Sequence, residues 1–397
     1  MTTPQTVLLS PIDAWFFRDG RPYNEGEGNQ TDVVSQFPPP ATTLVGALRA
    51  ALARSRGWNG MGRWDRSLNA VLGDGFDSLG SLTFGGPWLA RTAGMGETEL
   101  LFPMPLHVLG KPEQQQSDSE PQWKLACLLT PGRAVHCDLG EVCLPVMSDV
   151  RADDTDLNGL KEPSSQWVTS RGLEQILADR LPDVSQVVEA RDLWSREARV
   201  GLKRCEDKRV TEQGALYSPR FVRLARGVSL AMTIEGLPDG ENWKIPDLLT
   251  LGGEGRMADC RTLEAMSLPT APVDQIRASK RIVVTLITPL ILPDSGGSDA
   301  GSVNSPQPNQ TFFDWPGTIV ISACVGKPQS LGGWDSLERR PLPLRPVLPA
   351  GSTWFLEVTD ASAIVERFAR GIGMKTQYGF GQVVLGVWPS TQGDSTR

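Results

Sequence analysis

The sequence contains only two histidines, His107 and His136, among its 397 residues. A ribonuclease mechanism that needs a pair of imidazoles would have to use both of them. Six cysteines are spread along the chain without a CxxC pair, and their spacing with His136 fits no zinc-ligand pattern. The scattered cysteines favour reduced thiols over a disulfide framework. We also expect no metal site and no cofactor.

Long apolar runs are also missing from the sequence. No stretch reaches the roughly 18 residues of a membrane-spanning helix, and the first residues lack the basic and apolar segments of a signal peptide. We therefore expect a cytoplasmic protein without a membrane partner. The formal net charge of −7 argues against a simple basic coat for nucleic acid. The 41 glycines and 31 prolines predict long loops between the elements.

The sequence pattern predicts four helices, at 41–56, 173–181, 246–251 and 361–370. The first of them is the clearest, and Thr42 or Thr43 is its predicted N-cap because both follow a run of prolines. A long β-branched strand is predicted at 281–292.

The order of these elements indicates the fold class. Helices and strands are mixed without strict βα alternation, which favours an α+β fold over a doubly wound sheet. A helix, a glycine run and a strand follow one another twice, at 246–265 and at 361–388, which suggests two similar halves. Because the composition becomes loop-like after Ala265, we place one domain at 1–270 and a second at 271–397.

The sharpest feature is a glycine loop at residues 371–381, with the sequence GIGMKTQYGFG. A helix is predicted before it and a strand after it, the reverse of the dinucleotide and P-loop arrangements, so neither fits. Glycines let another backbone come close, and Lys375, Gln377 and Tyr378 would supply charge, hydrogen bonds and a stacking surface to a phosphodiester chain. The alternative is a glycine-capped helix that turns tightly into a strand.

Positive charge is concentrated in one segment. Ten basic residues and five acidic ones lie between Arg191 and Arg226, whereas the rest of the chain is acidic. Trp194, Tyr217 and Phe221 are interleaved with them and could stack on bases. The pattern is typical of a nucleic-acid groove, and a solvated surface with local ion pairs is the alternative.

A turn near the N-terminus carries two more arginines. Arg18 and Arg21 flank Asp19 and Gly20 and could hold phosphates on either side of the turn. The alternative is an ordered turn in which Asp19 caps the backbone or pairs with an arginine.

Taken in order, these motifs resemble one family. The matching stretches are FFRDGRPY, FPPPATTLVGALRAAL, REARVGL, TEQGALYSPRFVRL, LGGEGR, LGGW, PLPLRPVLPAGSTWF and GIGMKTQYGFGQ, and they span residues from about 7 to 388. The chain is similar in these stretches to the third RAMP subunit of the Cmr complex, the RNA-guided effector of type III-B CRISPR–Cas systems. The stretches at 109–121 and 148–165 match no motif of the family and are expected to be inserted loops.

The resemblance implies two ferredoxin-like, RRM-related RAMP domains in tandem, with long loop insertions. It also implies a non-catalytic subunit that binds the repeat-derived 5′ handle of the guide RNA. Its partners would be the large polymerase/cyclase-type subunit and the adjacent backbone RAMP subunits. RNA contact is carried over to Arg18, Arg21, Arg199, Lys203, Arg204, Arg209, Gly371, Gly373, Lys375, Gln377, Tyr378, Gly379 and Gly381. A structural or interface role is carried over to Gly252, Gly253, Glu254 and Arg256.

Two other functions remain open on the sequence. Some RAMP-fold relatives are metal-independent endoribonucleases that process guide RNA, and here His107 or His136 would have to act as the base or the acid. Both histidines lie in strand-like stretches away from the glycine loop, so we expect no enzyme. A protein-only scaffold, whose basic segment pairs with an acidic partner, is the second alternative.

Overall fold

The computed structural model describes residues 3–18, 32–92, 96–113, 122–137, 140–147, 159–204, 211–240, 243–293 and 309–388. The helices of these ranges are α1 (Ala41–Ser55), α2 (Asn69–Leu72), α3 (Ser170–Leu177), α4 (Val273–Ser279) and α5 (Ala361–Phe368). Their strands are β1 (Gln5–Pro11), β2 (Asp32–Val34), β3 (Thr83–Thr92), β4 (Thr98–Pro103), β5 (Val108–Glu113), β6 (Gln122–Cys137), β7 (Gly140–Met147), β8 (Gln166–Thr169), β9 (Val187–Glu189), β10 (Trp194–Ala198), β11 (Gly201–Arg204), β12 (Thr211–Leu224), β13 (Val228–Glu235), β14 (Leu248–Thr250), β15 (Met257–Glu264), β16 (Arg281–Leu286), β17 (Leu290–Ile291), β18 (Thr318–Cys324), β19 (Gln329–Leu331), β20 (Trp334–Asp335), β21 (Arg340–Pro341), β22 (Arg345–Leu348), β23 (Thr353–Val358) and β24 (Val383–Gly386).

The largest sheet has eight strands in the order β14-β15-β1-β13-β3-β4-β8-β9, and all its neighbouring strands are antiparallel. Strand β1 lies inside it and is buried on both faces. Val7 and Leu9 pack with α1 on one face, whereas Leu8 packs with α3 on the other. The continuous apolar run Val7–Leu9 is what a strand covered on both sides requires.

A second sheet of four strands, in the order β18-β23-β16-β24, is built from the C-terminal part of the chain. Its core contains Val284, Trp354 and Leu356 from the strands, together with Ile364 and Phe368 from α5. The last two residues are four apart, so they lie on the same side of α5 and cover the sheet.

The two sheets share one strand order. The four strands of each set can be numbered by their order along the chain. Both β15-β1-β13-β3 and β24-β16-β23-β18 then read fourth, first, third, second across the sheet. Helix α1 connects the first strand to the second in the large sheet, and α5 connects the third to the fourth in the small one. The described chain is therefore a mixed α/β fold, with extensive sheets and few helices.

The remaining strands form smaller sheets around these two. Strands β10, β12 and β11 form one of them, and β2 pairs with β12. Strands β5, β6 and β7 form a three-stranded ribbon, β17, β22 and β19 form another small sheet, and β20 pairs with β21.

Direct contacts join the two halves. The Val387 amide donates a hydrogen bond to the Leu177 carbonyl at the end of α3, with an N–O distance of 2.9 Å. A Cβ atom on Gly386 would lie 2.6 Å from the same carbonyl oxygen. Strand β15 ends at Glu264, and α4 begins at Val273. The domain boundary at 270 falls between them and stays a prediction.

Three expectations about local structure are wrong. Residues 246–251 do not form a helix, because Leu248–Thr250 pairs with β15 as an edge strand. The strand predicted at 281–292 is interrupted after Leu286, where the Thr288 hydroxyl donates to the Gly379 carbonyl instead. The loop predicted at 109–121 begins as strand β5, which pairs with β6.

Helix α1 is confirmed, but its N-cap is not a threonine. The residue before the helix is Pro40, which makes no side-chain cap. Proline has no side-chain oxygen, so the helix lacks the capping hydrogen bond that a threonine would supply. In the described part of the chain, no helix is long and apolar enough to cross a membrane.

One buried titratable group makes the fold sensitive to acid. His107 is 3% exposed, and its Nδ1 lies 3.2 Å from the Thr353 hydroxyl oxygen. Burial lowers the pKa of the His107 imidazole from 6.5 to about 4. The unfolded chain therefore binds a proton between these pH values that the folded chain does not, and stability falls as the pH falls through this window.

We predict that His107→Asn weakens this acid dependence. Between pH 7 and pH 4.5, the variant should lose about 2 kcal/mol less unfolding free energy than the parent protein. Urea unfolding at the two pH values measures the difference. His136→Asn is the control, because His136 lies exposed on β6, and it should keep the parent's pH dependence. An equal decline in the parent and in His107→Asn would contradict the prediction.

Candidate nucleic-acid interface

The glycine loop follows α5 and leads into β24, as a helix–turn–strand connection. Gly371, Gly373, Gly379 and Gly381 have positive φ angles of 75°, 78°, 96° and 66°, a region that side chains disfavour. A Cβ atom on Gly381 would collide with the Ile372 carbonyl oxygen of the loop itself. These glycines are therefore needed for the conformation of the loop.

The inner face of the loop contacts β3 of the large sheet and β17 of a smaller one. A Cβ atom on Gly379 would collide with the Gly86 carbonyl oxygen on β3, and one on Gly373 with the Ile291 carbonyl oxygen on β17. On this face the space beside Gly373 and Gly379 is occupied by the protein itself, and contact of the loop with RNA stays a prediction. The chain's own backbone fills that space, because two main chains can approach this closely only where side chains are absent.

Lys375 and Tyr378 also face inward. Lys375 Nζ lies 2.9 Å from Asp77 Oδ1 and 4.1 Å from the centre of the Phe76 ring. The Tyr378 hydroxyl donates a 2.6 Å hydrogen bond to the Phe76 carbonyl, and burial raises its pKa to about 12. The Tyr378 side chain is only 4% exposed, so its ring packs inside the protein; its contact with RNA stays a prediction.

Residues 72–78, which we call the clamp segment, hold these two side chains. Arg49 on α1 holds the clamp segment in turn, donating to the carbonyls of Leu72, Gly75 and Ser78 at 2.7, 2.9 and 3.0 Å. Arg49 is only 6% exposed, and it satisfies three carbonyls of the clamp segment, which lies between the helix and the glycine loop.

The outer face of the loop is open. Gly373 and Gln377 are exposed there, beside a groove with a cavity volume of about 660 Å³. The groove is lined by Pro293, Phe313, Trp315, Ala363, Glu366, Arg367, Arg370, Gly371, Ile372, Gly373 and Thr376. The Arg367 guanidinium lies 4.2 Å from the centre of the Trp315 ring, a cation–π contact. Two arginines and two aromatic rings beside an exposed main chain can accommodate both a phosphate and a base.

Sequence reasoning missed these groove residues. The sequence analysis predicted a helix at 361–370 and assigned no role to Arg367 and Arg370 near its end. The only available signal was their position immediately before Gly371 at the end of a predicted helix.

A second cluster gathers three of the sequence motifs around Asp13. The Asp13 carboxylate accepts hydrogen bonds from Arg199 and Arg223 at 2.7 Å each and from Arg256 at 3.0 Å. Glu197 also accepts from Arg199 and Arg223, both at 2.7 Å. The sequence analysis had assigned no role to Asp13, because nothing near it in the sequence points to arginines about 190 to 240 residues away.

An aromatic ring supports this cluster. The guanidinium groups of Arg199 and Arg256 lie 4.9 and 4.5 Å from the centre of the Phe221 ring. The Gly253 amide donates a 2.8 Å hydrogen bond to the Phe16 carbonyl, and the Phe16 ring packs on Phe221. The local ion pairing that was left open for the basic segment is therefore present at Arg199 and Arg223.

The arginines shift the acidity of both carboxylates. Hydrogen bonds from Arg199 and Arg223 lower the pKa of Asp13 from 3.8 to about 2. Hydrogen bonds from the same two residues also lower the pKa of Glu197. Both groups therefore stay ionised at neutral pH, and they satisfy the cations that the sequence had suggested for phosphate.

The structure describes the other residues carried over from the resemblance to different extents. Arg21 and Arg209 lie outside the described residues, and Lys203 and Arg204 are described only by the backbone of β11. Arg18 is exposed and its backbone bridges Ser35. Glu254 is exposed with a φ of 57°. Within the described ranges, no three His, Cys, Asp or Glu side chains are grouped as a metal site requires.

The model of the family described as CRISPR-associated protein (Cas_Cmr3) matches residues 7–388. The chain belongs to this family. No curated protein matches the sequence. This membership confirms the Cmr resemblance at the level of the family, and the chain is a Cmr-type CRISPR effector subunit.

One solved structure supports the fold, and two others show weaker similarity. A chain in the cryo-EM structure of the Type III-B Cmr-beta bound to cognate target RNA matches with a TM-score of 0.50 and 14% identity, over 96% of each chain. A second such structure, with AMPPnP as well, matches at 0.48 and 14%, over 94% of this chain and 91% of that one. The crystal structure of a Csm3-Csm4 subcomplex in the type III-A CRISPR-Cas interference complex gives 0.37 and 10%, over 90% and 93%.

We predict that Asp13→Asn destabilises the protein by about 1 kcal/mol, because three guanidinium groups lose a shared charged acceptor in a half-exposed network. Chemical denaturation at pH 7 measures the loss. Asp274→Asn is the matched control, because Asp274 is fully exposed and pairs with Arg277 at 3.7 Å, and it should change stability by less than about 0.5 kcal/mol. Equal effects of the two substitutions would contradict a structural role for Asp13.

Proposed function

We propose that this chain is a non-catalytic subunit that holds the repeat-derived 5′ handle of the guide RNA in a type III-B effector complex. The observation that carries the proposal is the groove on the outer face of the glycine loop. Its cavity of about 660 Å³ combines Arg367 and Arg370 with the rings of Phe313 and Trp315. This combination suits single-stranded RNA, which proteins bind through phosphate contacts and base stacking.

Each wall of the groove has a role in this proposal. Arg370 supplies a cation for a phosphate, and Trp315 offers a ring face that Arg367 now covers and that a base could share. Glu366 is the one carboxylate of the lining, so the two arginines leave a net positive charge. Gly373 exposes main chain on this face, and the exposed side chain of Gln377, in the same loop, can hydrogen-bond to ribose or base edges.

The strand orders support the tandem architecture that the resemblance implies. A fourth–first–third–second order of antiparallel strands occurs in both sheets and fits two ferredoxin-like RAMP domains, at 1–270 and 271–397. The N-terminal unit would carry the ribbon of β5, β6 and β7 as an insertion. This organisation is the one expected of the third RAMP subunit of a Cmr complex.

The partners would be the large polymerase/cyclase-type subunit and the adjacent backbone RAMP subunits, in the cytoplasm. The ribbon of β6 and β7 supports a protein interface, because it exposes Val135, Leu144, Val146 and Met147 to solvent. Leu144 is the most exposed of the four, at 57%. Neighbouring apolar side chains of this kind are typical of surfaces that another protein covers.

An endoribonuclease is disfavoured by the position of the histidines. His107 is buried against Thr353 and Phe355, so it cannot reach a 2′-hydroxyl at the surface. His136 lies on β6 in the ribbon, opposite Glu141 on β7. Neither histidine lines the groove. The groove therefore lacks the imidazole that would act as the base or the acid in RNA cleavage.

The double variant Arg367→Ala/Arg370→Ala tests the proposal. Filter binding of the full chain to labelled guide RNA with its repeat-derived handle should show about tenfold weaker binding and a shallower dependence on salt, because the variant neutralises fewer phosphates. The matched control is Arg171→Ala/Arg180→Ala, which removes two exposed arginines at α3 and just beyond it. It should bind like the parent protein.

Two results would contradict this function. Equal binding by the groove variant and the control would remove the groove from the handle site and favour a protein-only scaffold. Specific cleavage of repeat RNA by the pure chain, abolished by His136→Ala, would instead establish an endoribonuclease.

A further inference from the structure

A second basic surface lies immediately after α1, at residues 54–66, and we call it the arginine–tryptophan loop. Its sequence is RSRGWNGMGRWDR, with four arginines and a single acidic residue. All four arginines are exposed, and they are Arg54, Arg56, Arg63 and Arg66. Neither the family motifs nor the groove of the glycine loop includes the exposed part of this loop.

The four cations carry no neutralising carboxylate. Within the ranges that the structure describes, none of these guanidinium groups forms an ion pair with Asp or Glu. The acid of the loop, Asp65, instead accepts a 2.8 Å hydrogen bond from the Ser67 amide as a helix cap. Arg63 donates to the Asp74 carbonyl at 3.1 Å, which leaves its positive charge uncompensated. This distinguishes the loop from the Asp13 cluster, where two carboxylates satisfy the arginines.

Two indole rings stand between the arginines in fixed positions. The Trp58 Nε1 donates to the Met61 carbonyl at 3.2 Å, and the Trp64 Nε1 donates to the Gly73 carbonyl at 2.9 Å. The rings meet edge to face with their centres 5.8 Å apart. Both are only partly buried, so ring surface remains available to a stacking partner.

The surface extends beyond the loop on one side. The Arg56 guanidinium lies 5.5 Å from the centre of the Trp243 ring, and Lys244 is exposed beside it. A third indole and a fifth cation therefore continue the same alternation of positive charge and aromatic surface. This alternation is the one that proteins use to bind single-stranded nucleic acid without sequence preference.

The surface is joined to the glycine loop through the clamp segment. Trp64 bonds to Gly73 at the start of that segment, and the Arg49 guanidinium lies 5.1 Å from the centre of the Trp64 ring. The same segment binds Lys375 through Phe76 and Asp77. The arginine–tryptophan loop and the glycine loop are therefore both anchored on the clamp segment.

We propose that the arginine–tryptophan loop binds a single-stranded RNA segment outside the handle, through phosphate contacts and base stacking that do not depend on sequence. The site goes beyond the proposed function, because it lies outside the groove assigned to the handle and needs no handle to be present. Aromatic rings interleaved with uncompensated arginines favour RNA over an acidic protein partner, since a peptide carboxylate needs no stacking surface.

The experiment uses the full chain and a fluorescein-labelled twenty-nucleotide oligouridine, which carries no handle sequence. Arg54→Ala/Arg66→Ala should bind it at least fivefold more weakly at low salt than the parent protein. The slope of log affinity against log salt should fall by about 0.7 for each phosphate that the variant no longer neutralises. Arg171→Ala/Arg180→Ala should match the parent in both measurements, and circular dichroism confirms that each variant is folded.

Trp58→Ala provides a second readout, because it removes stacking without changing charge. It should weaken oligouridine binding and leave the salt slope unchanged. Parent-like affinity and slope in both loop variants would overturn the proposal, as would binding of polyglutamate, but not of oligouridine, that depends on Arg54 and Arg66. The groove variant Arg367→Ala/Arg370→Ala should show its weaker binding of handle RNA and keep parent-like binding of oligouridine, so failure here is distinguishable from failure of the proposed function.

Discussion

The close approach of the glycine loop to the large sheet is the constraint on which the rest of this structure depends. Gly379 meets Gly86 of the large sheet backbone to backbone, and Gly373 meets Ile291 of the small sheet that contains β17 in the same way. Each contact requires the absence of a Cβ atom and, in the loop, a positive φ angle. The loop therefore belongs to the joint between the two halves, and only its outer face remains available to a ligand.

The clamp segment extends this constraint into the first half. Buried Arg49 satisfies three of its carbonyls, and the segment in turn holds Lys375 and Tyr378. A buried guanidinium that loses such acceptors is strongly unfavourable, so the arrangement is fixed from α1 to the glycine loop. Ligand surfaces on either side of the clamp segment are consequently held in a constant relation to each other.

The effect of each arginine in this protein depends on whether a carboxylate pairs with it. Arg199 and Arg223 share the carboxylates of Asp13 and Glu197, so they stabilise the meeting of three chain segments. The arginines at 54–66 have no such partners among the described residues. Equal numbers of arginines in a sequence can therefore have opposite consequences for anion binding, because pairing removes most of the attraction.

Several elements could be predicted from the sequence because their signals are local. Helix α1 follows from apolar residues at helical spacing, and the buried strand at β1 follows from an apolar run. The predicted helix at 246–251 failed because Leu248–Thr250 gains hydrogen bonds from β15, a partner that local propensity does not reveal. Asp13, Arg49, Arg367 and Arg370 were missed as site residues for the same reason.

The sequence by itself determined the family, the position of the glycine loop between a helix and a strand, and the uneven distribution of positive charge. These properties depend on residue order and spacing alone. Only the tertiary structure decided that Tyr378 is buried, that Asp13 binds Arg256 across 243 positions of the chain, and which arginines stay uncompensated. Burial and ion pairing depend on distances between residues remote in sequence, and folding sets those distances.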